Sequence, residues 1–100
     1  MELRSEKNGT NLVVALIGEL NTLSADKLDD FLQDELNGVT DLELDFTECE
    51  FISSSGIRVL LATYRKLDET GGKMKLSHVG EDIMDVLKVT SLDTIFNVNV

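Results

Sequence analysis

Between residues 41 and 47 the chain alternates without exception. Leu42, Leu44 and Phe46 take one side, and Asp41, Glu43 and Asp45 take the other. A period of two predicts a strand buried on one face only. The stretch "KMKLSHV", residues 73–79, repeats the pattern, with Met74, Leu76 and His78 on one side and Lys73 and Lys75 on the other. Leu42, Leu44, Phe46, Met74 and Leu76 are therefore expected inside, and Asp41, Glu43, Lys73 and Lys75 nearer to water. His78, alone of its kind and on the apolar side, reads as a packed core residue. Residues Leu12 to Ile17 are instead almost continuously apolar, which suits a strand in the middle of a sheet. They follow Asn8-Gly9, a pair that favours the positive φ angles of a type I′ turn, so residues 2–17 read as a hairpin. "FNVNV" at the end alternates again, with Phe96, Val98 and Val100 on one side.

The segments between these strands change period. In "NTLSADKLDDFLQDELNG", Leu28, Phe31, Leu32 and Leu36 fall on one helical face. Asn21, Thr22 or Ser24 can cap its start, and Gly38 supplies a stop. After Gly56, the residues Ile57, Leu60, Leu61, Tyr64 and Leu67 keep helical spacing until Gly71-Gly72. "EDIMDVLKV" is a short amphipathic helix with Ile83, Val86 and Leu87 inward, and "SLDTIF" adds a helical turn.

Strands separated by helices are usually parallel with right-handed crossovers, whereas the opening hairpin is antiparallel. The expected fold is α/β: a single domain over residues 1–100, with a mixed sheet of four to five strands and helices mainly on one face. The length of 100 residues fits one domain, and 42% hydrophobic residues provide its core. The single cysteine, Cys49, cannot form an internal disulfide and reads as a small core residue rather than a reactive thiol. No apolar run reaches the length of a membrane span, and the first residues do not resemble a signal peptide. A cytoplasmic protein is the expectation.

A net charge of −10 argues against nucleic acid and against an anionic membrane as partners. The charge is uneven: residues 56–80 hold Arg58, Arg65, Lys66, Lys73 and Lys75 against only Asp68 and Glu69. Such polarity gives solubility and can also select a protein partner.

The chemistry is concentrated in Ser53, Ser54 and Ser55, which run directly into Gly56. A nucleophilic serine needs a base, an orienting group and an oxyanion site. The only histidine lies on an apolar strand face, and the glycine two positions before the nucleophile of a strand-to-helix elbow is missing. One histidine and one cysteine are a poor start for a metal ligand set, and no glycine loop cradles a phosphate. No catalytic residues, metal or cofactor are expected. Helix capping accounts for one serine or two, Ser53 or Ser54.

The stretch "LDFTECEFISSSGIRVLLATYRKL" resembles the signature of the STAS domain family, and more narrowly that of the bacterial anti-sigma factor antagonists. Their signature is a strand, a short loop, then Asp-Ser-Ser-Gly opening a helix. "VALIGELNTLSADKL" is similar to the family's first strand-to-helix passage, which reads Gly-Glu-Leu-Asp, and "LKVTSLDTIFNV" resembles its closing helix and strand. The resemblance covers nearly all the chain. It implies a STAS-like fold and a phosphorylation switch, with Ser54 as the acceptor and Ser53 as the alternative. Ser53, Ser54, Ser55, Gly56 and Arg58 would form the partner-binding surface. The implied partner is an anti-sigma factor that is itself an ATP-binding serine kinase, with room for a phosphatase as a second partner. The unphosphorylated form would bind this kinase and release the sigma factor. Two positions depart from the pattern: Ser53 stands where the family has aspartate before the serine pair, and Asn21 where it has aspartate after Gly-Glu-Leu. Two further readings remain open. One is a STAS interaction module that is never phosphorylated, as a scaffold or a transporter accessory subunit; the other is a small-ligand domain, for example for a nucleotide.

Overall fold

The computed structural model describes residues 1–100. Its elements run in the order β1 (Glu2–Asn8), β2 (Asn11–Ile17), α1 (Thr22–Glu35), β3 (Asp41–Glu48), α2 (Ser54–Glu69), β4 (Lys73–Ser77), α3 (Glu81–Val89), a 3-10 turn (Leu92–Thr94) and β5 (Asn97–Val98). They form one five-stranded sheet in the order β1-β2-β3-β4-β5. β1 and β2 are antiparallel, and every other neighbouring pair is parallel. This is the mixed α/β sheet expected from the alternation of strand and helix.

The hairpin forms, with its turn one residue further on than its Asn-Gly pair predicts. Asn8 pairs with Asn11, so the loop is Gly9-Thr10, and Gly9 alone has a positive φ, 63°. A positive φ at the first central position only is the type II′ pattern rather than type I′, and glycine is the residue that takes that position without strain.

Alternation decides the core. Leu12, Val14 and Leu16 of β2, Leu42, Leu44 and Phe46 of β3, and Met74 and Leu76 of β4 are all buried on one face. They join Leu28 and Leu32 of α1, Leu60 and Leu67 of α2, and Ile83 and Leu87 of α3 in one cluster. The helices therefore cover this face, and Asp41, Lys73 and Lys75 stand exposed on the other. Fully burying one such aliphatic side chain contributes roughly 1.5–3 kcal/mol, so this shared face is the main source of stability. β2 does lie inside the sheet, yet its apolar run is not covered on both sides. Val13 is exposed, and Ala15 and Ile17 are half-buried on the open face.

The end of the chain differs from its expected alternation. Phe96 is buried and packs edge-on against Tyr64, but β5 spans only Asn97–Val98, and Val100 is exposed. Pairing reaches β4 only at Lys75–Asn97 and Leu76–Val98, so residue 100 has no strand partner to hold it inward.

Candidate functional site at the C-terminal edge of the parallel strands

β2 and β3 end side by side, and the chain uses their last residues to place two helix starts together. The Gly18 N–H donates to the Glu48 carbonyl at 2.9 Å, and the Leu20 N–H donates to the Phe51 carbonyl at 3.0 Å. The Ser53 N–H then donates to the Leu20 carbonyl at 2.9 Å, and Leu20 and Ile52 form a parallel bridge. The two connections leaving the strands are thus zipped at the residue before each helix N-cap.

Each helix is capped by a neutral side chain. Asn21 caps α1: its Oδ1 accepts the Ser24 N–H at 3.0 Å, and the Ser24 hydroxyl accepts the Asn21 N–H at 2.8 Å, a reciprocal capping box. Ser53 caps α2, its hydroxyl accepting the Gly56 N–H at 3.2 Å. Of the two serines open to the capping role, then, it is Ser53 that fills it. Both departures from the family pattern, Ser53 and Asn21, fall at N-caps. Aspartate, asparagine and serine all accept this bond well, so the change removes charge and keeps the hydrogen bond. Neither helix has an acidic residue in its first turn.

The five sequence-identified residues come together at the start of α2. Ser54 is exposed at the first helical position, Ser53 and Ser55 are half-buried, Gly56 is buried, and Arg58 is exposed. Gly56 is required by the zipper itself. A Cβ there would lie 2.8 Å from Leu20 Cγ and 2.9 Å from Ile52 Cγ1, closer than any packed side chain allows.

Cys49 lies beneath this loop, buried, with Sγ 3.5 Å from the Phe51 carbonyl. Burial pushes its thiol above the ordinary range, which keeps it protonated and inert at neutral pH. His78 is not in the core. The strand pattern stops at Ser77, and His78 has a positive φ of 54° that turns its side chain out of the alternation. It is exposed, with Nδ1 3.2 Å from Asp45 Oδ1. Partial burial works against the Asp45 charge, but hydrogen bonds from the Thr47 side chain and backbone, with the His78 ring, hold its carboxyl below the usual range. Sequence reasoning missed this pair. The one available signal was Asp45 on the outward face of β3, in register with Ser77, one residue before His78.

No group of three His, Cys, Asp or Glu side chains is arranged to hold a metal ion. A concavity of about 720 Å³ opens at the opposite, N-terminal edge of the strands between Asn11, Tyr64, Lys75 and Ile95, and contains none of the serines. What the serine edge offers is an exposed hydroxyl beside two helix N-termini, on a surface of loop and first-turn residues.

Comparison with known proteins agrees with this fold. The family model for the STAS domain matches residues 2–100. The anti-sigma-B factor antagonist of Bacillus subtilis is 23% identical over 94 residues, covering 94% of this chain and 86% of that one. A solved anti-sigma factor antagonist from Mycobacterium paratuberculosis superposes with a TM-score of 0.86 at 25% identity, over 98% of this chain and 84% of that one. Bacillus SpoIIAA in its phosphorylated form has the same fold, with a TM-score of 0.80 at 19% identity, over 99% and 91% of the two chains. No helix is long and apolar enough to cross a membrane.

Proposed function

The chain belongs to the STAS domain family, and on that premise we propose that it is an anti-sigma factor antagonist that acts by binding, with Ser54 as its switch. The observation that carries this reading is the division of labour between neighbouring serines. Ser53 takes the structural bond to Gly56, and Ser54 stands exposed, outside the cap. The acceptor can thus be modified without removing the bond that starts the helix. In this reading Ser54 is the acceptor and Ser53 is not.

A phosphate adds about −1.5 to −2 charges and three strong acceptors at neutral pH. At the first residue of α2 it meets free backbone N–H groups and the positive end of the helix, with no first-turn carboxylate to oppose it. The fold can accept this charge. A partner pressed against the same edge cannot, because the phosphate would lose its water and repel any nearby carboxylate. The unmodified chain binds an anti-sigma factor that is an ATP-dependent serine kinase, and phosphorylation ends the complex. The phosphoryl chemistry belongs to that kinase, and this chain is its substrate and ligand.

The test is incubation of the full chain with ATP and a serine-kinase anti-sigma factor from the source genome, followed by mass spectrometry of the peptide containing residues 53–58. Phosphate on Ser54 is the expected result. Stable binding of the kinase without labelling would favour the interaction module that is never phosphorylated, and labelling confined to Ser53 would move the switch.

A further inference from the structure

The edge that carries Ser54 also carries two exposed apolar side chains. Leu23, in the first turn of α1, is 83% exposed, and Phe51, in the loop before α2, is 48% exposed. Scattered exposed apolar residues are ordinary. These two are not scattered: the Leu20 N–H bond to the Phe51 carbonyl joins Phe51 to the residue that leads into α1. Phe51 stays exposed although Ile52 beside it and Cys49 two residues before it are buried.

The surroundings of this pair are acidic. Glu19, Asp26, Glu48 and Glu50 are exposed on the same edge. The ion pairs of the chain lie elsewhere, at Arg4–Glu2, Lys7–Glu35, Lys75–Glu43 and His78–Asp45. Against these four carboxylates stand Arg4, whose charge Glu48 favours, Arg58, Lys27, whose Nζ donates to the Met1 carbonyl at 2.8 Å, and the N-terminal residue Met1, which lies against Gly18. The edge thus carries two exposed apolar side chains among four exposed carboxylates.

We infer that Leu23 and Phe51 are the anchors of a protein-docking surface whose occupant presents an apolar pocket bordered by lysine and arginine. This rests on the reading of the chain as an antagonist and names the chemistry of its partner. Buried aromatic and aliphatic anchors supply most of the affinity at such surfaces, whereas rim charges set association rate and salt dependence. Placed at the starts of the two zipped helices, the anchors seat the partner over Ser54, so that a charge added there falls inside the interface.

The experiment uses the full chain and the same purified serine-kinase anti-sigma factor, titrated by calorimetry against the parent, Leu23→Ser, Phe51→Ser and Val89→Ser. Val89 is 86% exposed at the far end of α3 and serves as the equally apolar control. Melting curves confirm that each variant is folded. Leu23→Ser and Phe51→Ser are each expected to weaken binding at least tenfold, and Val89→Ser to leave it unchanged. Raising salt from about 0.1 M, where the screening length is about 10 Å, to about 1 M, where it is about 3 Å, is expected to weaken binding of the parent. Parent-like binding by both anchor variants, an equal loss in Val89→Ser, or an affinity indifferent to salt would each overturn the inference. Concentration-dependent dimerisation of the chain, abolished by Leu23→Ser, would overturn it in favour of a second copy as occupant. The antagonist reading fails separately, if the parent itself neither binds the kinase nor is labelled by it.

Discussion

Ser53 and Gly56 are joined by the bond that starts α2, the Gly56 N–H donating to the Ser53 hydroxyl at 3.2 Å. The structural duty of the serine run therefore rests on residue 53. Ser53→Ala should cost about 1 kcal/mol, because alanine cannot accept the bond. Ser53→Asp should keep stability, because aspartate accepts it and its charge suits a helix start. Ser54→Ala, at an exposed position outside the cap, should change stability by no more than about 0.5 kcal/mol. Urea midpoints of the three variants check the order, and a loss in Ser54→Ala equal to that in Ser53→Ala would contradict it.

Ser54→Asp and Ser54→Ala separate the switch from the fold. Ser54→Asp places a negative charge at the exposed head of α2, where the helix dipole tolerates it. It should melt near the parent and bind the kinase at least tenfold more weakly, about 1.4 kcal/mol. Ser54→Ala should bind as the parent does and take no phosphate. Affinity and labelling measured on both decide the matter: tight binding by Ser54→Asp together with normal labelling of Ser54→Ala would remove Ser54 from the role.

Gly56→Ala should run against helix propensity. In an open helix alanine is favoured over glycine by about 1 kcal/mol. Here the new methyl would meet Leu20 Cγ at 2.8 Å and Ile52 Cγ1 at 2.9 Å. Overpacking of this kind costs about 1–3 kcal/mol. Combined with Leu20→Ala, the loss should be smaller than the sum of the single losses, because the truncated Leu20 makes room for the methyl. Additive losses in chemical denaturation would show that the clash is relieved elsewhere.

Cys49 should not react with a thiol-modifying reagent in the folded chain at neutral pH. Its side chain is buried, and that burial raises the thiol above its ordinary range, so both access and thiolate are missing. Modification should follow the unfolding curve in urea. Rapid labelling of the native chain would place the thiol at the surface.

The Asp45–His78 pair sets a pH dependence of known sign. The Asp45 carboxyl titrates below its ordinary range, as Thr47 and His78 favour its charge more than partial burial opposes it. Its contribution is therefore complete above the unfolded aspartate value of about 3.9 and is lost as pH falls through the lower folded value. Asp45→Asn should be less stable than the parent near pH 6, and the difference should shrink toward pH 3. A difference that grows on acidification would reverse the sign. His78→Asn should bind the partner within about tenfold of the parent, about 1.4 kcal/mol.

Alternation along the chain carried the core of this protein. The outward Asp41, Lys73 and Lys75 and the inward Leu42, Leu44, Phe46, Met74 and Leu76 follow from a period of two, since a strand offers only two faces and the helices cover one. The same pattern, with the helical spacings between, determined the mixed sheet, and the serine-glycine run marked the edge of the candidate site. Other features depend on which strand ends lie side by side. Gly56 is needed because Leu20 arrives from a connection more than thirty residues earlier in the chain. Ser53 rather than Ser54 is the cap because the bond from its own N–H to the Leu20 carbonyl places residue 53 just outside the helix. His78 faces water beside Asp45, since a positive φ ends the alternation one residue before the sequence pattern does. The exposure of Leu23 and Phe51 was equally hidden, because helix spacing and strand period describe what an element can bury, and only the assembled neighbours decide what is covered.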